Sequence, residues 1–240
     1  MSKKKTNFKE YLKNLDFIKS YIPKVNSAGY PFIIIFFIIS LLISMLSDFL
    51  GWLGFILTVW CIYFFRDPDR VTPNDANSII SPADGKVLSY LEEESPEIIR
   101  DDKTRKMRKI SIFMDVFNVH VNRIPISGTI RWLKYIPGIF LNASLDKSSK
   151  ENERMVIKIE TKNKQEIYVV QIAGLIARRI KCDLEENQSV EVGNRFGIIR
   201  FGSRVDIYFP HQYESNVLPG QLVIAGETVL AKKNNLASKK

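Results

Sequence analysis

The chain has 240 residues, a formal net charge of +9 at pH 7, two cysteines and two histidines. That length holds one sizeable domain with an appendage, and so few cysteines and histidines exclude a disulfide framework, a zinc-ribbon spacing and a histidine-rich metal centre. The charge sits at the ends, with seven lysines against Glu10 and Asp16 in residues 1–30 and four lysines without an acid in the tail 232–240; the neutral body between them argues against a nucleic-acid groove and suits basic flanks at an anionic membrane.

Within residues 1–30, Phe8, Tyr11 or Leu12, Leu15, Ile18 and Ile22 recur at helical spacing, with Lys9, Lys13 and Lys19 largely off that stripe. The pattern reads as a helix in a membrane interface or one packed on a soluble domain. Residues 31–65 are almost wholly apolar, in two runs, 32–46 and 49–65, either side of Ser47-Asp48. Each run is near the roughly 17 residues a crossing needs. A carboxylate midway along one buried helix is expensive, so Asp48 marks a turn. The segment reads as a membrane hairpin, two short crossings or a re-entrant pair. Lysines before it, with Arg66 and Arg70 after it, place both flanks in the cytoplasm. A cleaved signal peptide fits poorly, because the stretch is long, starts late and lacks a small-residue cleavage site.

Residues 66–73 are polar and proline-bearing, which marks a domain boundary. From 66 to 231 the pattern is β: short runs at 86–91, 109–114, 120–123, 128–132, 155–160, 166–172, 179–182, 197–201 and 204–209, then a strand–turn–strand over 217–231. No long amphipathic helix interrupts them, so the domain is predicted to be mainly antiparallel β, a sandwich or barrel.

Several residues in this domain could carry chemistry. Asp84, in Ala83-Asp-Gly85, is either a hairpin turn residue or a carboxylate that orients a histidine. His120 lies between Val119 and Val121 and is either a structural strand residue or a base. His211 is the other candidate base, but eight residues of extended chain carry it more than about 20 Å from residue 203. The 136–146 connection reads as a substrate loop or a mobile linker. Arg178, Arg179 and Lys181 form an anion patch or a solvated strand face. Gly202-Ser203 is either an ordinary bulge or turn, or a serine whose Oγ attacks the carbonyl of the residue before it.

The stretches Phe64-Phe-Arg-Asp-Pro-Asp-Arg70, Ser81-Pro-Ala-Asp-Gly-Lys86, Asn118-Val-His-Val-Asn-Arg123, Asn152-Glu-Arg154, Gln171-Ile-Ala-Gly174 and 195–210 occur in one order. Together they resemble the phosphatidylserine decarboxylases, particularly the short membrane-associated type. The resemblance implies a β domain like the barrel-sandwich hybrid of biotinyl and lipoyl carriers. It also implies autocatalytic serinolysis at Gly202-Ser203, giving a heterodimer of chains 1–202 and 203–240 with a pyruvoyl group derived from Ser203. Asp84, His120 and Ser203 would form the processing triad. The substrate would be phosphatidylserine in an anionic membrane. Its amine would form a Schiff base with the pyruvoyl ketone, releasing CO2 and then phosphatidylethanolamine, with no metal and no pyridoxal phosphate. The catalytic domain would face the cytoplasm at the cell membrane. One departure is that several relatives carry two nearby histidines where this chain offers His120 alone. The competing readings are a non-enzymatic, membrane-anchored carrier-like binding module and a membrane-anchored serine hydrolase.

Overall fold

A computed structural model describes residues 24–94, 106–145, 147–175, 179–200 and 202–234. The helix expected before residue 24, Asp146, Arg178 and most of the basic tail lie outside the described residues. The chain divides into two compact units, 1–69 and 70–240.

In the first unit, helices α1 (Tyr30–Ser44) and α2 (Asp48–Phe64) pack as a hairpin. Pro31 falls in the first turn of α1, where a missing N–H costs nothing. Asp48 opens α2, so its charge meets the positive end of the helix instead of lying midway along one. The helices approach through small residues. Ser40 Oγ donates to the Gly51 carbonyl at 3.1 Å, and a Cβ on Gly51 would lie 2.5 Å from Ser44. The base of the hairpin is closed by Asn26, whose N–H donates to Phe65 O at 2.8 Å. The outward side chains are apolar and bare, with Phe49 76 % and Trp52 67 % exposed, a surface suited to hydrocarbon and not to water. Ser27–Ser44 is long and apolar enough to cross a membrane; Asp48–Phe64 is the shorter partner.

The second unit is built from strands β1 (Ser78–Ile80), β2 (Gly85–Glu94), β3 (Lys106–Met114), β4 (Val121–Arg123), β5 (Gly128–Ile136), β6 (Arg154–Glu160), β7 (Glu166–Ala173), β8 (Ile180–Cys182), β9 (Ser189–Val190), β10 (Arg195–Ile199), β11 (Ser203–Phe209), β12 (Tyr213–Ser215), β13 (Leu222–Val223) and β14 (Val229–Lys233). They form one large sheet in the order β13-β2-β3-β11-β7-β6-β5-β9 and two small ones, β1-β14-β12 and β4-β10-β8. All the pairings between these strands are antiparallel. The mainly β architecture expected from the alternating pattern is present, preceded by the apolar hairpin.

The main core joins the inner face of the large sheet (Ile110, Ile112, Val169, Val205, Ile207) to residues of the small sheets (Phe196, Ile199, Leu230). The second face of β11 is not solvated, as simple alternation would have it, and every residue of β11 is buried. On that face Tyr168, Val170, Ile172 and Tyr208 pack with Trp132 and Val156. Beside them Arg204 and Asp206 form an internal ion pair, Nε to Oδ1 at 2.6 Å. Strand β5 runs to Ile136, beyond the expected residue 132, because its register shifts between Ile130 and Trp132. Such a bulge breaks the period of two on which the sequence boundary rests.

Candidate active site

The chain changes sheets between β10 and β11, leaving the small sheet after Ile199 and entering the large one at Ser203. Only three residues make that switch, and Gly202 makes it at φ +70°, a left-handed angle that favours glycine. Ser203 is the first residue of β11, opposite Met114 of β3 on one side and Ala173 of β7 on the other. It therefore points into the main core beside its pairing partners. Its exposure is 0 % and its Oγ has no hydrogen-bond partner. A buried hydroxyl left so carries about 1–3 kcal/mol of uncompensated desolvation, a cost that calls for an explanation such as a catalytic role.

His120 lies just before β4, which pairs with β10. Its own carbonyl accepts from Ile199 N–H at 3.4 Å, so the segment carrying the imidazole is fastened to the strand leading into Gly202. The side chain is fully buried together with Val119 and Val121, so this stretch has no solvent face. Nδ1 lies 3.0 Å from the Asn118 carbonyl oxygen. A carbonyl oxygen only accepts, so Nδ1 carries the proton and Nε2 presents its lone pair. That lone pair faces the Gly202 N–H at 3.3 Å. The structure thus brings a basic nitrogen to the Gly202-Ser203 dipeptide from 82 residues away in sequence.

Asp84 lies in the 81–84 turn. Its carboxylate accepts from Arg70 Nη2 at 2.8 Å and from the Ala225 N–H at 2.7 Å. The turn is tied to the histidine strand, since Arg123 N–H donates to Pro82 O at 2.9 Å. Ser81 N–H and Gly226 N–H fasten it to the 224–228 segment, each through a 2.8 Å bond. His211 lies past the opposite end of β11, exposed, 3.5 Å from Glu92. Lys181 pairs with Asp183 at 3.0 Å, and Arg179 is exposed. Burial, and then the nearby Arg179 charge, push the Arg200 guanidinium down from its usual range.

Three more polar residues of the sequence motifs, Asn122, Asn152 and Gln171, are buried on the elements around Ser203. Gln171 and Asn122 are both fully buried and joined by a 2.8 Å bond from Gln171 Nε2 to Asn122 Oδ1. Gln171 is two residues before Ala173, the partner of Ser203, so it shares the serine's face of the sheet. Asn152 stitches the 136–146 connection to the end of β7. It accepts from Leu141 N–H at 2.9 Å and donates to Leu141 O at 2.8 Å and to Ala173 O at 2.7 Å. The part of that loop around Leu141 is therefore pinned beside the site.

The arrangement suits an acyl shift at a peptide bond: an unpaired hydroxyl, an adjacent carbonyl on a flexible glycine, and a lone pair facing the same dipeptide. Among the described residues no group of three or more His, Cys, Asp or Glu side chains could hold a metal ion. A family model described as phosphatidylserine decarboxylase matches residues 57–231. A curated protein of Pelagibacter ubique (strain HTCC1062), a phosphatidylserine decarboxylase proenzyme, is 52 % identical over 217 residues, covering 90 % of this chain and 100 % of that protein.

Proposed function

The chain belongs to the phosphatidylserine decarboxylase family, an enzyme family and not one of passive binding modules, and from that premise we propose that it is a precursor that cuts itself between Gly202 and Ser203. The observation that carries the proposal is Ser203 Oγ, sealed and without a partner, in the residue directly after the Gly202 N–H that faces the lone pair of His120 Nε2 at 3.3 Å. In this reading Nε2 leaves the Gly202 N–H and takes the Ser203 hydroxyl proton. Oγ attacks the Gly202 carbonyl carbon, the C–N bond breaks, and the serine nitrogen takes up a proton, leaving an ester. Loss of the Ser203 Cα proton and cleavage of the Cβ–Oγ bond then release the Gly202 carboxylate. Addition of water to the dehydrated residue, with departure of ammonia, leaves a pyruvoyl group at position 203.

The residues present fit such a group, because they bury its precursor serine in a dipeptide whose Gly202 N–H faces the His120 lone pair. When formed, the pyruvoyl carbonyl supplies the electron sink for decarboxylation. The Asn118 carbonyl holds the tautomer of His120, and we assign Asp84 as the carboxylate that steadies the histidine strand through its own turn. His120 is also the nearest candidate to return a proton once CO2 has left.

The cut pieces 1–202 and 203–240 stay together in this reading through strand pairing. Strand β11 lies between β3 and β7, β13 lies on β2 and β14 on β1, each contact joining one piece to the other. The apolar hairpin holds the enzyme at the bilayer that contains its lipid substrate, and its basic flanks put the catalytic domain on the cytoplasmic side.

Intact mass measurement of the purified protein tests the proposal. Two pieces are expected, the smaller beginning at residue 203 without a free amine. Ser203→Ala and His120→Ala proteins should each remain one chain and lack phosphatidylserine decarboxylation. A wild-type protein that decarboxylates the lipid as a single uncut chain would overturn it. Covalent labelling of an intact Ser203 by a fluorophosphonate would point to a serine hydrolase instead.

A further inference from the structure

Two glycines flank the Gly202 carbonyl for opposite reasons. Gly202 has its left-handed φ, yet nothing lies within 4 Å of where its Cβ would stand. Glycine is needed there for backbone angle and not for space. Gly174 is the reverse. Its φ is not in the left-handed region, so an L side chain would fit its backbone. A Cβ there, however, would drive into the Gly202 carbonyl oxygen, with the carbonyl carbon at 3.0 Å and Ala143 Cβ at 3.4 Å. The register explains the contact, because Ala173 faces Ser203 across the sheet and so sets Gly174 against Gly202.

We propose that Gly174 is a positioning residue for self-cleavage: its bare Cα is the wall against which the scissile carbonyl is seated for attack by Ser203. The inference rests on the self-cleavage reading above. The wall is firm and the carbonyl is not. At the end of β7, Ala173 N–H donates to Glu153 O at 2.9 Å, and Ala173 O accepts from Asn152 Nδ2 at 2.7 Å. Gly202, by contrast, precedes β11, and its N–H is held by the 3.3 Å contact to His120. A methyl group at 174 therefore displaces the Gly202 peptide and leaves the strand in place. A displacement on the order of 1 Å from attack geometry costs about a hundredfold in rate.

The experiment uses the full chain, following conversion of precursor to pieces on denaturing gels. Wild type, Gly174→Ala, Ala143→Gly/Gly174→Ala and Asn152→Ala are compared, with the uncut Ser203→Ala chain as the reference for folding. Gly174→Ala should melt close to that reference and cut about a hundredfold more slowly than wild type. Added hydroxylamine, which cleaves esters, should release no pieces from it, because the block precedes ester formation. Removing the Ala143 methyl should not restore the rate, since the clash is with the carbonyl. Asn152→Ala adds no bulk but frees the end of β7, and should cut about tenfold more slowly. This variant decides the matter if Gly174→Ala does not fold.

Cutting of folded Gly174→Ala at the wild-type rate, restoration by Ala143→Gly, or a wild-type rate in Asn152→Ala would each overturn the inference. Ester accumulation released by hydroxylamine would do the same. If wild type itself never cuts, the self-cleavage reading falls; if wild type cuts and the variants cut equally well, only the role of Gly174 falls.

Discussion

Replacing Asp206 with asparagine isolates the cost of a charge stranded inside the β domain. Arg204 and Asp206 are each about 1 % exposed and meet through two contacts, Nε to Oδ1 at 2.6 Å and Nη2 to Oδ2 at 3.1 Å. Arg204 Nη2 also donates to Ser111 Oγ at 2.8 Å, so the guanidinium is held by neutral acceptors as well as by the carboxylate. Neutralising one partner of a buried pair typically costs about 3–5 kcal/mol, because the other charge stays buried without its counter-ion. For a domain of this size each kcal/mol lowers the midpoint by about 2–4 °C, which gives a drop of about 6–20 °C. The measurement is thermal unfolding in detergent on a Ser203→Ala background, so that self-cleavage does not change the species melted. An Arg204→Met/Asp206→Leu double variant removes both charges and should recover most of the loss, since apolar replacements of buried pairs are often neutral. A single variant melting within 2 °C of its parent, or a double variant falling as far as the single, would refute the reasoning.

Two further outcomes are expected. Arg131 and Lys164 hold the Glu160 carboxyl at about 2, against its usual 4.5. A depressed native pKa stabilises above the unfolded value and stops doing so as pH falls through the native one; the melting advantage of wild type over Glu160→Gln should be full above pH 4.5 and shrink towards pH 2, and an advantage independent of pH would contradict it. Deletion of residues 1–65 should leave self-cleavage intact and abolish co-flotation with lipid vesicles; a truncated chain that stays uncut would make the hairpin part of the processing machinery.

The hairpin and the β domain were legible in the sequence for simple reasons. Two apolar runs broken by Ser47-Asp48 allow few structures, and alternation of β-branched with polar residues marks most of the strands. The alternation misled where both faces of a strand are covered. Arg204 and Asp206 are charged residues alternating with apolar ones in β11, yet they neutralise one another inside. It also failed at β5, where the bulge before Trp132 shifts the pattern by one.

The site was partly legible. Ser203 and His120 stood out by residue type and by motif, but the approach of the imidazole to the Gly202 peptide depends on β4 pairing with β10, a non-local contact that no local pattern encodes. The tautomer of His120 comes from a backbone carbonyl at Asn118, which any residue there could have supplied. Gly174 is harder still to read, because its importance lies in a neighbour 28 residues further along the chain. Its motif was visible, but the reason for a glycine within it was not.

The zero exposure of Ser203 bears on which fate awaits the ester that the proposed route forms. In open water such a linkage would partition towards hydrolysis, regenerating an N-terminal serine and a nicked but permanently inert enzyme. Packing that linkage among Met114, Ala173 and the adjoining apolar side chains starves this dead-end branch of its reagent. Dryness there while the ester stands, with one water admitted only after elimination, would thus set the fraction of molecules that mature, and an added polar cavity beside it would be expected to yield cut chains that never become active.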